Sequence, residues 1–317
     1  MLKKFILIGA LLLGTGTVVA TDYSYFKSQP LTVVIPFGTG GNTDIIGRLL
    51  ASRITDRTGI KTVILNKPGA NGVIASNFLV QAKPDGHTVM YSNSLPVLNS
   101  LQRLTGAPGI DQFDFIIPTV ESPHVIVVNA KSGIQNYADF VKRLDSRENY
   151  SATFASVKIW VDTIALHERK SSPEQILYKS QSEALTAVLK GEVMFTIAGI
   201  ADSNRLIANG DLVAIAAATE RRIPLIPDVP SLRELGVKDS LFSGYFGVYT
   251  PIGIPEDVRV KLNMLFQDAL WDAHTISVLH NRGLIPIGGD PNKSAQHQKF
   301  LIKYHSKEIA KSTNLFK

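Results

Sequence analysis

The stretch Pro36-Phe37-Gly38-Thr39-Gly40-Gly41-Asn42-Thr43-Asp44 constrains this chain more than any other. A largely β-branched apolar run, Leu31, Val33, Val34 and Ile35, comes before it. After it, Ile45, Ile46, Leu49, Leu50 and Ile54 recur at the spacing of one helix face. The stretch therefore reads as a strand, a glycine turn and a helix start, the joint from which α/β layers are built. Gly38, Gly40 and Gly41 free the backbone to take positive φ and to approach a ligand closely. Asn42 or Thr43 is placed to cap the helix, whose first N–H groups lack acceptors of their own. A turn of this chemistry suits an anion.

Two nucleotide readings fail on the letters. A dinucleotide fingerprint needs a third glycine where Thr43 stands, and an acid after the next strand, where Asn66 follows Thr62 to Leu65. A phosphate-binding P-loop needs Gly-Lys-Ser/Thr, and the turn has no lysine. Enzyme signatures fare no better: there is no Gly-x-Ser-x-Gly elbow, and His167-Glu168 lacks the second histidine of a zinc helix. The seven histidines are not clustered as metal ligands. No catalytic set, metal site or cofactor has positive support in the letters.

Residues 1 to 20 read as a cleavable signal peptide. Lys3 and Lys4 start it, Phe5 to Leu13 is its apolar core, and Val18-Val19-Ala20 is a small-residue cleavage signal. Removing those 20 residues from 317 leaves 297, enough for two domains with real cores. The charge of +6 falls to +4 without Lys3 and Lys4, and the rest is scattered without a basic run, which argues against nucleic acid. With no cysteine, neither a lipid-modified cysteine anchor nor a disulfide framework exists, and stability must come from the core. The expected mature product is soluble, periplasmic and monomeric.

Strand-turn-helix units then repeat. Lys61 to Leu65 leads into the loop Asn66 to Gly72 and a helix from Val73; Thr88 to Tyr91 ends in Ser92-Asn93-Ser94. A new start follows Ser122-Pro123 with a strand at Val125 to Val128, and helices and strands alternate again through the strand Leu212 to Ala216. Pro224, Pro227 and Pro230 mark a loop towards the strand Tyr245 to Tyr249, which suits a return crossing. A helix with Pro255 in its first turn and a polar helix near Ser294 to Ala310 close the chain. The expected architecture is α/β with two hinged lobes, residues 22–122 with 244–317, and 123–243, each a mainly parallel sheet flanked by helices.

Several motifs, in order, resemble the Bug family of substrate-binding proteins of tripartite tricarboxylate transporters. They are Pro36 to Gly41 with Asp44, Asn66-Lys67-Pro68-Gly69-Ala70-Asn71-Gly72, Pro84-Asp85-Gly86-His87-Thr88, Tyr178-Lys179, Pro227-Asp228-Val229-Pro230-Ser231 and Pro251 to Pro255. The resemblance spans essentially the whole mature chain. It implies a type II periplasmic-binding fold, two lobes that close on a small di- or tricarboxylate or related organic acid and deliver it to membrane transporter subunits. A sensor component for a receptor histidine kinase is the related alternative, and an exported hydrolase the alternative of another class.

Site residues follow from the same resemblance. Phe37, Gly38, Thr39, Gly40, Gly41, Asn42, Thr43 and Asp44 would present N–H groups and small side chains to the ligand carboxylate, with Asn71, Gly72, Ser92 and Ser94 lining the same side. Ser156, Trp160, Tyr178 and Lys179 would line the other. The second lobe departs from the family pattern: Ser151 to Trp160 has no glycine, Trp160 stands where histidine is usual, Ala198 replaces an aspartate, and Ser180 a glycine. Lys158 is a further candidate partner for a distal carboxylate.

Overall fold

A computed structural model describes residues 22–101, 103–144, 148–152, 157–178, 180–238 and 243–315. The expected signal peptide, Ser156 and Lys179 lie outside the described residues. The first lobe opens with β1 (Leu31–Ile35), α1 (Asn42–Thr58), β2 (Thr62–Asn66), α2 (Val73–Val80), β3 (Thr88–Asn93) and α3 (Leu95–Leu101). β4 (Phe113–Asn129) carries the chain across into α4 (Tyr137–Arg143), β5 (Asn149–Ala152), α5 (Val157–His167), β6 (Glu174–Leu177), α6 (Gln181–Lys190), β7 (Phe195–Gly199), α7 (Ile200–Ala208) and β8 (Leu212–Ala217). β9 (Ser243–Pro251) returns it to α8 (Glu256–Leu270), α9 (Ala273–Asn281), β10 (Ile285–Pro286) and α10 (Pro291–Leu315). Among the described residues no helix is long and apolar enough to cross a membrane.

Parallel pairing holds where helices connect the strands and stops at the crossings. β1 lies between β2 and β3 in parallel, and β5 between β6 and β7 likewise. The crossing strands are antiparallel to their neighbours: β9 to β3, and β4 to β9, β7, β8 and β10. Both sheets are therefore mixed. β4 is far longer than the strand expected at Val125 to Val128. It pairs with β9 from Phe113 to Pro123, and with β7 from His124 onward. Its register shifts between Phe115 and Ile117 and again between Pro118 and Val120. Gly247 on β9 accommodates this irregularity, because a Cβ there would lie 2.5 Å from the Phe115 ring and 2.7 Å from the Ile117 carbonyl.

Each lobe has cores on both sheet faces. In the first lobe, Ile46, Leu50 and Ile54 of α1 pack with Val33, Tyr91, Val120 and Leu262. Ile45 and Leu49, read as part of that helix face, are only half-buried. On the opposite face Val34, Leu79, Met90 and Tyr249 form a second cluster. In the second lobe the Phe195 ring is stacked by Tyr150 at 5.1 Å and met edge-on by Phe140 at 4.9 Å, a geometry that adds to simple area burial. Gly59 ends α1 at φ 72°, and Gly191 ends α6 at the same φ, left-handed conformations that glycine adopts without Cβ strain. Pro255 is the N-cap of α8 rather than a first-turn residue.

Candidate functional site

The carboxyl ends of the parallel strands in both lobes open toward the crossing region, the position in which open α/β sheets hold ligands. On the first lobe the glycine turn joins β1 to α1. The helix cap is Gly41, not Asn42 or Thr43, and it makes no side-chain cap bond. The first intrahelical bond runs from Ile45 N to Gly41 O at 2.9 Å. The N–H groups of Asn42, Thr43 and Asp44 therefore precede the helical ladder, with no protein acceptor among the described residues. Together with the helix dipole they make the turn electropositive.

Only Gly40 in this turn has positive φ, at +88°; Gly41 sits at φ −76°, which any residue adopts. A Cβ at Gly38, Gly40 or Gly41 would meet nothing within 4 Å. Gly40 thus serves the backbone, whereas Gly38 and Gly41 stand in open space.

Side chains centred on the buried Asp44 hold the turn. Asp44, 3 % exposed, accepts from Gly40 N at 3.0 Å, from Arg48 Nε at 2.9 and 3.0 Å, and from Asn66 Nδ2 at 2.8 Å. Asn66 Nδ2 also donates to Phe37 O at 2.9 Å, and Arg48 Nη2 to Asn66 Oδ1 at 2.8 Å. Hydrogen bonding to Arg48, more than to Gly40 N and Asn66, holds the Asp44 carboxyl down at about 2 against the opposing effect of burial. The Asp44 charge is balanced by Arg48, so it does not cancel the positive helix end. Asp44 supports the turn from within its first helical turn; Phe37 is half-buried, Thr39 exposed and Thr43 buried.

The neighbouring loops repeat this economy. Ala70 and Asn71 take φ of 46° and 54°, strained for residues with a Cβ, between Gly69 at 122° and Gly72 at 84°. Asn99 of α3 holds them, donating to Asn71 O at 2.8 Å while Asn71 Nδ2 reaches Asn99 Oδ1 at 3.3 Å. Gly72 is buried, and a Cβ there would come within 3.1 Å of Leu95 and 3.5 Å of Pro36. Its role is close packing of three loops. Ser92 and Ser94 are buried too, bonding inward to Asn93 Oδ1 and Tyr245 O, both at 3.4 Å.

The second lobe brings side chains instead. Trp160, half-buried, meets the His124 ring edge-on at 5.3 Å, and His124 belongs to the crossing strand β4. Tyr178 is half-buried against the cluster that includes Val127 and Leu185, its N–H bonded to Ala152 O at 2.8 Å. Lys158 is already engaged by Asp162 at 2.8 Å.

Asp202 and Arg282, which sequence reasoning missed, meet at Asn42. Asn42 Nδ2 donates to Asp202 Oδ1 of α7 at 2.8 Å, and Arg282 Nη1 donates to Asn42 Oδ1 at 3.3 Å. Burial raises the Asp202 carboxyl, opposed by the Asn42 hydrogen bond and the Arg282 charge. The available signal was an acid in the first turn of a helix that follows a strand, one turn beyond Ala198. Among the described residues no group of three or more His, Cys, Asp or Glu is arranged for a metal ion.

Two α/β lobes joined by crossing strands, with an open helix N-terminus at their junction, define a solute-binding protein of the periplasmic type. Residues 46–315 match the family described as tripartite tricarboxylate transporter family receptor, TctC, and the chain belongs to that family, a family of solute receptors and not of enzymes. A UPF0065 protein of Bordetella bronchiseptica is 28% identical over 91% of this chain and 85% of its own length. BugT of Bordetella pertussis is 25% identical over 93% of this chain and 92% of its own. In fold, the chain is similar to a solved R. palustris protein with adipate, at TM-score 0.78 and 23% identity, covering 90% of this chain and 97% of that one.

Proposed function

We propose that the protein binds a small organic carboxylate, a di- or tricarboxylate or a related acid, between its lobes and delivers it to the membrane subunits of a tripartite transporter. The observation that carries this reading is the group of three first-turn N–H donors of α1 behind an unobstructed glycine turn. A carboxylate there would gain charge-assisted hydrogen bonds without desolvating a side-chain cation. The adipate bound by the R. palustris protein of similar fold supports the ligand class.

On this reading, residues 22–122 with 244–317 form the lobe that reads the carboxylate, and 123–243 the lobe that closes over it. Residues 1–20 direct export to the periplasm and are cleaved after Ala20. Closure would be favoured by ligand because only the closed state makes contacts from both lobes. Trp160 and Tyr178 would contact the body of the ligand.

Mass spectrometry of small molecules released from gently purified protein tests the class. An organic acid at about one per protein is expected, and a consistently bound neutral or cationic solute would overturn it. Uptake of that acid in cells carrying the transporter subunits, lost when this protein is deleted and restored by its return, tests delivery.

A further inference from the structure

A cavity of about 580 Å³ shares none of its lining with the glycine turn or its neighbouring loops. One wall is the end of α9 and the segment into β10, with His280, Leu284 and Ile285; the other is the loop after β8, with Thr219, Pro224 and Leu225. Glu121 of β4 and Tyr245 of β9, paired across the two crossing strands, complete it. Its size falls in the range of small-molecule sites.

The charges in this cavity are unequal in their circumstances. Glu220 pairs with Arg233 at 3.3 Å, while Arg222 pairs with Glu234 at 2.9 Å and donates to Pro227 O at 3.0 Å. Arg221 and His280 are exposed, where solvent screens their fields. Glu121 is half-buried and makes no ion pair among the described residues. Burial raises its carboxyl. A carboxylate withdrawn from water is costly without a cation. Pro224, Leu225, Leu284 and Ile285 give the same cavity apolar lining, and Ile285 of β10 is paired with Glu121.

We propose that this cavity is a second ligand site, for a small organic cation that carries one ammonium group on an apolar body. The ammonium pairs with Glu121 and the body lies against Pro224, Leu225 and Ile285. Because the walls come from both lobes and from both crossing strands, the bound cation also biases the hinge. The cavity wall continues into Arg282, whose bond to Asn42 links it to the glycine turn.

The test uses 2-phenylethylammonium and its neutral analogue 2-phenylethanol on the intact mature protein at neutral pH, by calorimetry. The ammonium should bind about tenfold tighter than the alcohol, the size expected for one charge-assisted hydrogen bond. Glu121→Gln should bring it down to the alcohol's affinity. Arg221→Gln should leave it unchanged or tighten it. Equal affinity of the two probes for the unaltered protein, no binding of the ammonium, or full ammonium affinity in Glu121→Gln would each overturn the proposal. None of these outcomes depends on carboxylate binding at the glycine turn.

Discussion

The two faces at the lobe junction use different parts of the chain. On the first lobe the polar side chains Asp44, Asn66, Asn71 and Ser94 turn inward to hold loops, leaving backbone N–H groups toward the junction. On the second, Trp160 meets His124 of the crossing strand and Asp202 meets Asn42, while Tyr178 packs against its own lobe's core. A backbone surface recognises a negative charge whatever carries it; a side-chain surface distinguishes what lies behind that charge. On the proposed reading, the first lobe fixes the ligand class and the second its identity, which agrees with the second lobe's departures from the family pattern.

Removing the support beneath the first face should break the comparison most. Asp44→Ala leaves Gly40 N, Asn66 and the partly exposed Arg48 without their shared acceptor, and should cost about 2 to 3 kcal/mol of stability in urea unfolding. The pH dependence has a definite sign. The folded Asp44 carboxyl lies at about 2, below its unfolded value, so its contribution is complete above about pH 4 and is lost as pH falls toward 2. Asp44→Asn should flatten the acid limb of the stability curve in that window. An unchanged acid limb would mean that the carboxylate does not hold the turn.

A smaller effect is expected within the turn. Gly40→Ala forces a residue with a Cβ to φ +88°, and should lower stability by about 1 to 2 kcal/mol, read as a lower melting temperature. Gly41→Ala, at φ −76° with open space around it, should leave the melting temperature unchanged. Equal destabilisation by both would erase the division between a glycine for the backbone and a glycine for access.

The smallest effect on stability should come from the bridge between the faces. Asn42→Ala removes the bonds to Asp202 and Arg282, a loss of less than about 1 kcal/mol for a partly solvated contact. Its readout is shape: small-angle scattering of the ligand-free variant should give a larger radius of gyration than the unaltered protein. An unchanged radius would show that the bridge does not hold the lobes together.

The glycine turn was legible because a strand run gives way to helix periodicity between Ile35 and Ile45, with three glycines between them. The α/β alternation was legible for the same reason. β4 was not, because Pro118 and Pro123 interrupt its letters and two register shifts disturb its alternation; the partner strand and Gly247 restore a continuous strand. The helix cap was misassigned to Asn42 or Thr43 because polar letters signal caps, whereas Asp44 holds Gly40 from within the first turn and leaves Gly41 bare. The bridge from Asn42 to Asp202 spans 160 positions and exists only when the lobes meet, so no local pattern announces it.

Calorimetry on Gly41→Val, with the acid identified by mass spectrometry, tests the central claim most directly. The substitution fits the local φ and meets no protein atom within 4 Å of its Cβ, but it stands before the N–H groups of α1. With one or two charge-assisted bonds lost, affinity should fall about tenfold to several hundredfold while the melting temperature stays that of the unaltered protein. Native affinity in a folded Gly41→Val would contradict the account and move the carboxylate away from the glycine turn.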